Sequence, residues 1–211
     1  MNKEKIVLIG GGDHCGNCID VIEQEGRYEI VGIVDVQEKI HKKVLGYPIF
    51  ATDTDLPELM KEFRNFFISM GHVGRNEKRK RIFNDLKKFN LTLPVIISPL
   101  AYVSKYATIG EGTLVMPFAF VDVLVSVGSN CIIHCGTKLT HEAVIEDHCH
   151  ISLNSVIGKC RIGKGTFVGA NSWVAYGIDI AQDSIIGSCS NVLKSIEESG
   201  VYAGNPARRI K

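Results

Sequence analysis

The chain has 211 residues, of which 45% are hydrophobic, enough for two modest domains each with its own core. A net charge of +1 gives no electrostatic reason to expect a nucleic acid or membrane surface as partner. Met1-Asn2-Lys3-Glu4-Lys5 leads straight into a short strand, and no apolar run approaches the roughly 18 residues of a membrane span, so neither a signal peptide nor an anchor is expected and the compartment read from the sequence is cytoplasmic.

In chain order, Lys5 to Ile9 reads as a strand, Gly10-Gly11-Gly12-Asp13-His14 as a tight turn, and the stretch through Ile19, Val21 and Ile22 to Gly26 as a helix. A second strand from Ile30 ends in Asp35, and Asp53 or Thr54 is expected to cap a helix through Leu56, Leu59 and Met60. Phe66 to Met70 is a third strand, Gly71-His72-Val73-Gly74 a loop, Asn76 to Lys88 a charged helix, and Leu93 to Ile97 the strand expected to close the sheet. Strands alternating with helices at this spacing imply a small parallel, Rossmann-like α/β domain over residues 1–98. The helix bearing Arg75, Lys78, Arg79, Lys80 and Arg81 is expected to present a solvated face, since Glu77, Asn84 and Asp85 are interleaved.

The glycine turn lacks the full dinucleotide fingerprint, because Cys15 stands where its last glycine would be. Amides at a helix start still suit an anion such as a pyrophosphate, and Asp35, ending the second strand, sits where a ribose hydroxyl is often held. A tight turn with no ligand is the competing explanation. Cys15-Gly16-Asn17-Cys18 is formally a redox spacing, but no thioredoxin-like context follows. Seven cysteines, an odd number scattered along the chain, read as reduced thiols.

Beyond Tyr102 the chain counts in sixes. Val103, Ile109, Val115, Val121, Val127, Ile133, Leu139, Ile145, Ile151 and Ile157 are followed, after a slip of one residue, by Ile162, Val168, Val174, Ile180, Ile186 and Val192. Small residues such as Ala119, Cys131, Thr137, Ala143, Cys149, Ser155 and Ser172 stand four places after many of these. A period of six fits neither a helix nor simple alternation; it marks a parallel β-helix whose aliphatic residues point inward, over residues 99–194, with 195–211 as a C-terminal tail. The slip is expected to distort one coil locally. His141, third in its six, lies off the inward track and should project outward. For Glu142 to reach it, the chain must bend there, since strand neighbours point to opposite faces.

The glycine loop with His14, the runs Thr140-His141-Glu142-Ala143-Val144-Ile145 and Cys149-His150-Ile151-Ser152, and the ending Gly204-Asn205-Pro206-Ala207 resemble bacterial sugar acetyltransferases that join a Rossmann-like domain to a left-handed β-helix, the UDP-bacillosamine N-acetyltransferases and sialic acid O-acetyltransferases. The likeness covers essentially the whole chain, and the left hand of the coil comes from it. It implies transfer of acetyl from acetyl-CoA directly to the amino group of a nucleotide-linked sugar, UDP-linked and 4-amino in the leading reading, by a homotrimer. His141 is then the general base and Glu142 the group that orients it. His150, Gly158, Ala170, Gly187 and Ser188 line the acetyl-CoA groove between neighbouring coils, with Arg208, Arg209 and Lys211 near the CoA phosphates. Gly10, Gly11, Gly12, His14, Asp35, Gly71 and His72 hold the nucleotide sugar. O-acetylation of a sialic acid is the alternative, and a catalytically idle nucleotide-binding trimer the alternative of another class. His134 and His148 fall outside the matched runs and are assigned to packing or solvent. His134, His141, His148 and His150 also lack the wide first gap of the three-histidine carbonic anhydrases built on such coils, so no metal is expected.

Overall fold

A computed structural model describes residues 3–211. The chain divides into two compact units, one running to Gly71 and resuming over Glu77–Ile96, the other comprising His72–Asn76 and Ile97–Lys211.

The first unit is α/β. Strand β1 (Glu4–Ile9) carries the buried run Ile6-Val7-Leu8-Ile9, hydrophobic on both faces as a central parallel strand must be. It pairs in parallel with β2 (Tyr28–Val34) and with β5 (Asn65–Ile68), and β2 pairs with β4 (Tyr47–Ala51), itself in an antiparallel hairpin with β3 (Lys43–Val44). The order is β3-β4-β2-β1-β5. Helix α1 (Asp13–Glu25) starts at Gly12 without a side-chain cap and stops at Gly26, whose φ of 77° returns its N–H to the Ile22 carbonyl at 3.0 Å. Helices α2 (Leu56–Glu62) and α3 (Glu77–Lys88) complete the unit.

Three expectations change here. The strand expected at Leu93–Ile97 does not close this sheet: among the described residues a bridge from Asn65 to Thr92 extends it, and Ile96–Ile97 forms the first rung of the coil. The turn before α2 is capped by Thr52, in a reciprocal capping box with Asp55, rather than by Asp53 or Thr54. In α3, Arg79 is not on a solvated face. It is 2% exposed, and its Nη1 donates to the Ile68 and Met70 carbonyls at 2.6 and 2.7 Å, where β5 has run out of strand partners. A guanidinium that satisfies carbonyls at a strand end can be buried even amid a run of surface charge.

The second unit is a left-handed parallel β-helix of two-residue rungs. Its first face stacks Leu114–Val115, Ile132–Ile133, His150–Ile151, Phe167–Val168 and Ile185–Ile186; its second runs from Tyr102–Val103 through Phe120–Val121, Lys138–Leu139, Val156–Ile157 and Trp173–Val174 to Asn191–Val192; its third runs from Thr108–Ile109 through Val144–Ile145 to Asp179–Ile180. The second residue of each rung points inward, and those from Val115 to Val192 form one buried core. At most corners the third residue after the inward one is left-handed, for example Asn130, Gly136, Glu142, His148, Asn154 and Asn171. The small residue that follows fits inside the bend, and its hydroxyl ties the coils together. Ser155 donates to the Gly169 carbonyl at 2.8 Å, Ser172 to that of Gly187 at 3.0 Å, and the Ser172 hydroxyl accepts the Ser190 N–H at 3.2 Å.

The slip falls inside a corner. From Ile157 to Ile162 the turn is Gly158-Lys159-Cys160 and contains no left-handed residue, while Val144–Ile145 still pairs in register with Arg161–Ile162. Cys160, buried, takes the inward small-residue place, so the distortion is confined to the turn and no rung is bulged.

Candidate active site

The coil displays its chemistry at corners. His141 and Glu142 lie on the corner between the second and third faces, both exposed, and Glu142 has a φ of 59°. The bend required for the pair is therefore present. The Glu142 carboxylate, however, takes a 2.6 Å hydrogen bond from Lys159 Nζ, the residue one coil further along the same corner. The hydrogen bond and charge of Lys159 hold the Glu142 carboxyl below the ordinary carboxylate range, with a smaller contribution from His141. The His141 ring lies 6.0 Å from that of Tyr176, tilted by 39°. Spacing by coils would have found Lys159, because the missing residue in the slip brings it level with Glu142.

Gly158 is on the same corner as His141 but buried, and a Cβ there would lie 2.9 Å from the Tyr176 backbone nitrogen, so the next coil already requires glycine. Ala170, Gly187 and Ser188 are on a different corner, between the first and second faces, where Ala170 and Gly187 are half-buried and Ser188 is exposed. A Cβ on Gly187 would approach that of Ala203 to 3.0 Å. Within one chain the second face thus separates Ala170, Gly187 and Ser188 from His141 and Glu142.

His150 is on the first face and only 6% exposed. Its Nδ1 lies 2.7 Å from the His72 carbonyl oxygen, the His72 ring meets it edge-on at 5.0 Å, Phe167 edge-on at 5.2 Å, and His134 stacks on it at 5.9 Å with planes 11° apart. His72, expected among sugar-binding residues, is therefore built against His150. His134 accepts the Cys135 N–H on Nδ1 at 2.9 Å, which leaves the proton of the neutral ring on Nε2, and burial lowers its pKa. His148 is buried, with Nδ1 at 2.9 Å from Asn130 Nδ2. A packing role for His148 agrees with this, whereas His134, stacked on His150, belongs to its surroundings; no periodic signal could show that, because contact across a corner depends on side-chain direction. Among the described residues no group of three or more His, Cys, Asp or Glu could hold a metal ion.

In the α/β unit the glycine turn is built as a set of fixed amides. Gly10, at φ 105°, donates to the Val34 carbonyl at 2.8 Å, and a Cβ there would lie 2.1 Å from Met70 Cγ. Gly11 N donates to Asp35 Oδ2 at 2.6 Å, Lys39 Nζ to the same oxygen at 2.9 Å, and Val36 N to Oδ1 at 2.7 Å. Burial opposes the charge on Asp35, but the hydrogen bonds from Lys39, Val36 and Gly11 outweigh it and hold the carboxyl below its usual range. Asp35 is thus largely committed within the fold, and the amides left for an anion begin at Gly12, at the uncapped start of α1. His14 is half-buried, with Gly71 so close that a Cβ there would come within 3.0 Å of His14 Cβ. A cleft of about 340 Å³ opens beside Asp35, lined also by Val36, Gln37, Glu38 and Thr52–Thr54. Cys15 and Cys18 are buried free thiols whose pKa burial raises, which removes the thiolate a redox pair needs.

Residues 5–86 match the family described as PglD N-terminal domain, and residues 159–188 the hexapeptide repeat of succinyl-transferase. Among solved structures, the chain is similar to the acetyltransferase domain of PglB from Neisseria gonorrhoeae FA1090 in complex with acetyl coenzyme A, with 26% identity, 99% of this chain and 100% of that one covered and a TM-score of 0.91. It is similar as well to a histidine-to-asparagine mutant of perosamine N-acetyltransferase from Caulobacter crescentus in complex with CoA and GDP-perosamine, with 27% identity, 98% and 97% covered and a TM-score of 0.91. Carnitine operon protein CaiE from Proteus sp. (strain LE138) is 26% identical over 58% of this chain and 70% of its own length. With an α/β unit that matches the first family, a hexapeptide coil and full-length likeness to sugar acetyltransferases solved with CoA, the chain resembles throughout the bacterial sugar acetyltransferases that join a Rossmann-like domain to a left-handed β-helix, and is an acyltransferase.

Proposed function

We propose that the protein N-acetylates the amino group of a nucleotide-activated sugar, with a UDP-linked 4-amino sugar as the leading substrate, and that His141 is the general base. The observation that carries this reading is an exposed imidazole at a coil corner beside a carboxylate that accepts a hydrogen bond from Lys159. As the substrate amine attacks the thioester carbonyl, His141 takes its proton. Collapse of the tetrahedral intermediate expels the CoA thiolate, which recovers that proton. No acyl-enzyme is needed.

The α/β unit binds the nucleotide, with the amides from Gly12 at the start of α1 facing the diphosphate and Gly10, Gly11, His14, Asp35 and Gly71 shaping the turn and its surroundings, while His72 lies against His150. His150, Gly158, Ala170, Gly187 and Ser188 hold acetyl-CoA. Because one chain carries Ala170, Gly187 and Ser188 on one corner and His141 on the next, the reading includes a homotrimer in which corners of neighbouring coils meet. The similar proteins that bind GDP-perosamine and acetyl coenzyme A support an amino-sugar acceptor.

The test is CoA release by the purified protein against UDP- and GDP-linked 4-amino sugars and free sialic acids. Turnover on a nucleotide 4-amino sugar is expected, with His141→Ala lowering kcat by roughly 10²- to 10⁴-fold while acetyl-CoA binding is kept. Turnover on free sialic acids alone would replace N-acetylation by O-acetylation, and an unchanged His141→Ala enzyme would remove the base.

A further inference from the structure

His72–Asn76 is a short segment that leaves the α/β unit, groups with the coil, and returns as α3. At one end the His72 carbonyl meets His150 Nδ1 at 2.7 Å. A carbonyl can only accept, so Nδ1 carries the proton and the lone pair of the neutral ring is fixed on Nε2. Covering a histidine requires no particular tautomer; a directed bond to one ring nitrogen does. At the other end, Asn76 is 3% exposed and its Nδ2 donates to the His148 carbonyl at 2.5 Å. His148 stands two residues before His150 at a left-handed corner of φ 63°. The Asn76 amide therefore ties the segment to the turn that delivers His150.

We infer that Asn76 is a positioning residue for acetyl-CoA: it pins the His72–Asn76 strap to the coil, and the strap, through the His72 carbonyl, sets the tautomer and ring orientation of His150. The inference rests on the reading that His150 faces acetyl-CoA. The strap works together with the three rings around His150, those of His72, His134 and Phe167, which limit tilt but leave the position of the proton open. Truncating Asn76 leaves the His148 carbonyl without its donor and releases the oxygen that fixes Nδ1–H.

The experiment uses the full chain with ¹⁵N-labelled histidines. Ring nitrogen shifts report the tautomer of His150, and steady-state kinetics with acetyl-CoA report its consequence, for the wild type, Asn76→Ala, Asn76→Asp and His150→Ala. The wild type is expected to show His150 as Nδ1–H. In folded Asn76→Ala that signal should become a tautomer mixture, with the KM for acetyl-CoA raised about tenfold, as for loss of one buried hydrogen bond, and kcat changed much less. A wild-type signal for Nε2–H overturns the proposal whether or not the variants fold. So do unchanged shifts and KM in folded Asn76→Ala and Asn76→Asp when His150→Ala raises KM. If His150→Ala itself leaves KM unchanged, the reading of His150 as an acetyl-CoA residue is what fails, and the ring shifts alone then decide whether Asn76 sets its tautomer.

Discussion

His134 shows how a single side chain acquires properties that its position in a repeat does not carry. It follows an inward isoleucine at a corner, accepts a backbone N–H on Nδ1, and has its pKa lowered by burial. Because its folded pKa lies below that of an unfolded histidine, the unfolded chain binds the proton first on acidification. The stabilisation from neutral His134 is complete above about pH 6.5 and is lost as pH falls through that value toward the lower folded pKa. Urea unfolding of His134→Gln between pH 5 and 8 should therefore depend less steeply on pH than that of the wild type; an identical slope would mean that the ring is solvated. Arg79 is the complementary case. The run of basic residues in α3 suggested solvent, but two carbonyls at the end of β5 draw one guanidinium inside.

At the scale of the elements, the corner rather than the rung decides how the coil tolerates its sequence. A left-handed residue recurs at most corners, and glycine, asparagine or aspartate fills many of these places because they reach that conformation at little cost. Cys189, at φ 58° and exposed, follows Asn154 and Asn171 in one corner column. Cys189→Asn should raise the stability of the coil by about 1 kcal/mol, measured by thermal unfolding, whereas Cys189→Val, with a branched Cβ, should lower it. The slip belongs to the same logic. Dropping one residue removes the left-handed position, leaves every rung paired and brings Lys159 within reach of Glu142, so an irregularity in the count places an ion pair beside His141.

For the whole molecule the open face of the coil matters most. Tyr102 and Phe120 stack at 4.9 Å on the second face and are 54% and 41% exposed, an apolar ladder between the two corners that carry the proposed catalytic and acetyl-CoA residues. If neighbouring coils pack through this face, Phe120→Lys should sediment as a smaller species and lose turnover while its circular dichroism stays that of the wild type; full activity in a monomer would place the whole site within one chain. The fold was legible because it is periodic: sixfold repetition of an inward aliphatic residue admits only a coil, and doubly hydrophobic strands between helices admit only a parallel sheet. His141 was readable as exposed, being off the inward track. Counting by coils brings Lys159 level with Glu142, but other pairings were not readable: His150 with His72, His148 with Asn76 and Asp35 with Gly11 join positions far apart in the chain. Such pairs depend on where coils and strap bring side chains together, and periodicity records which way a residue points but not what waits there.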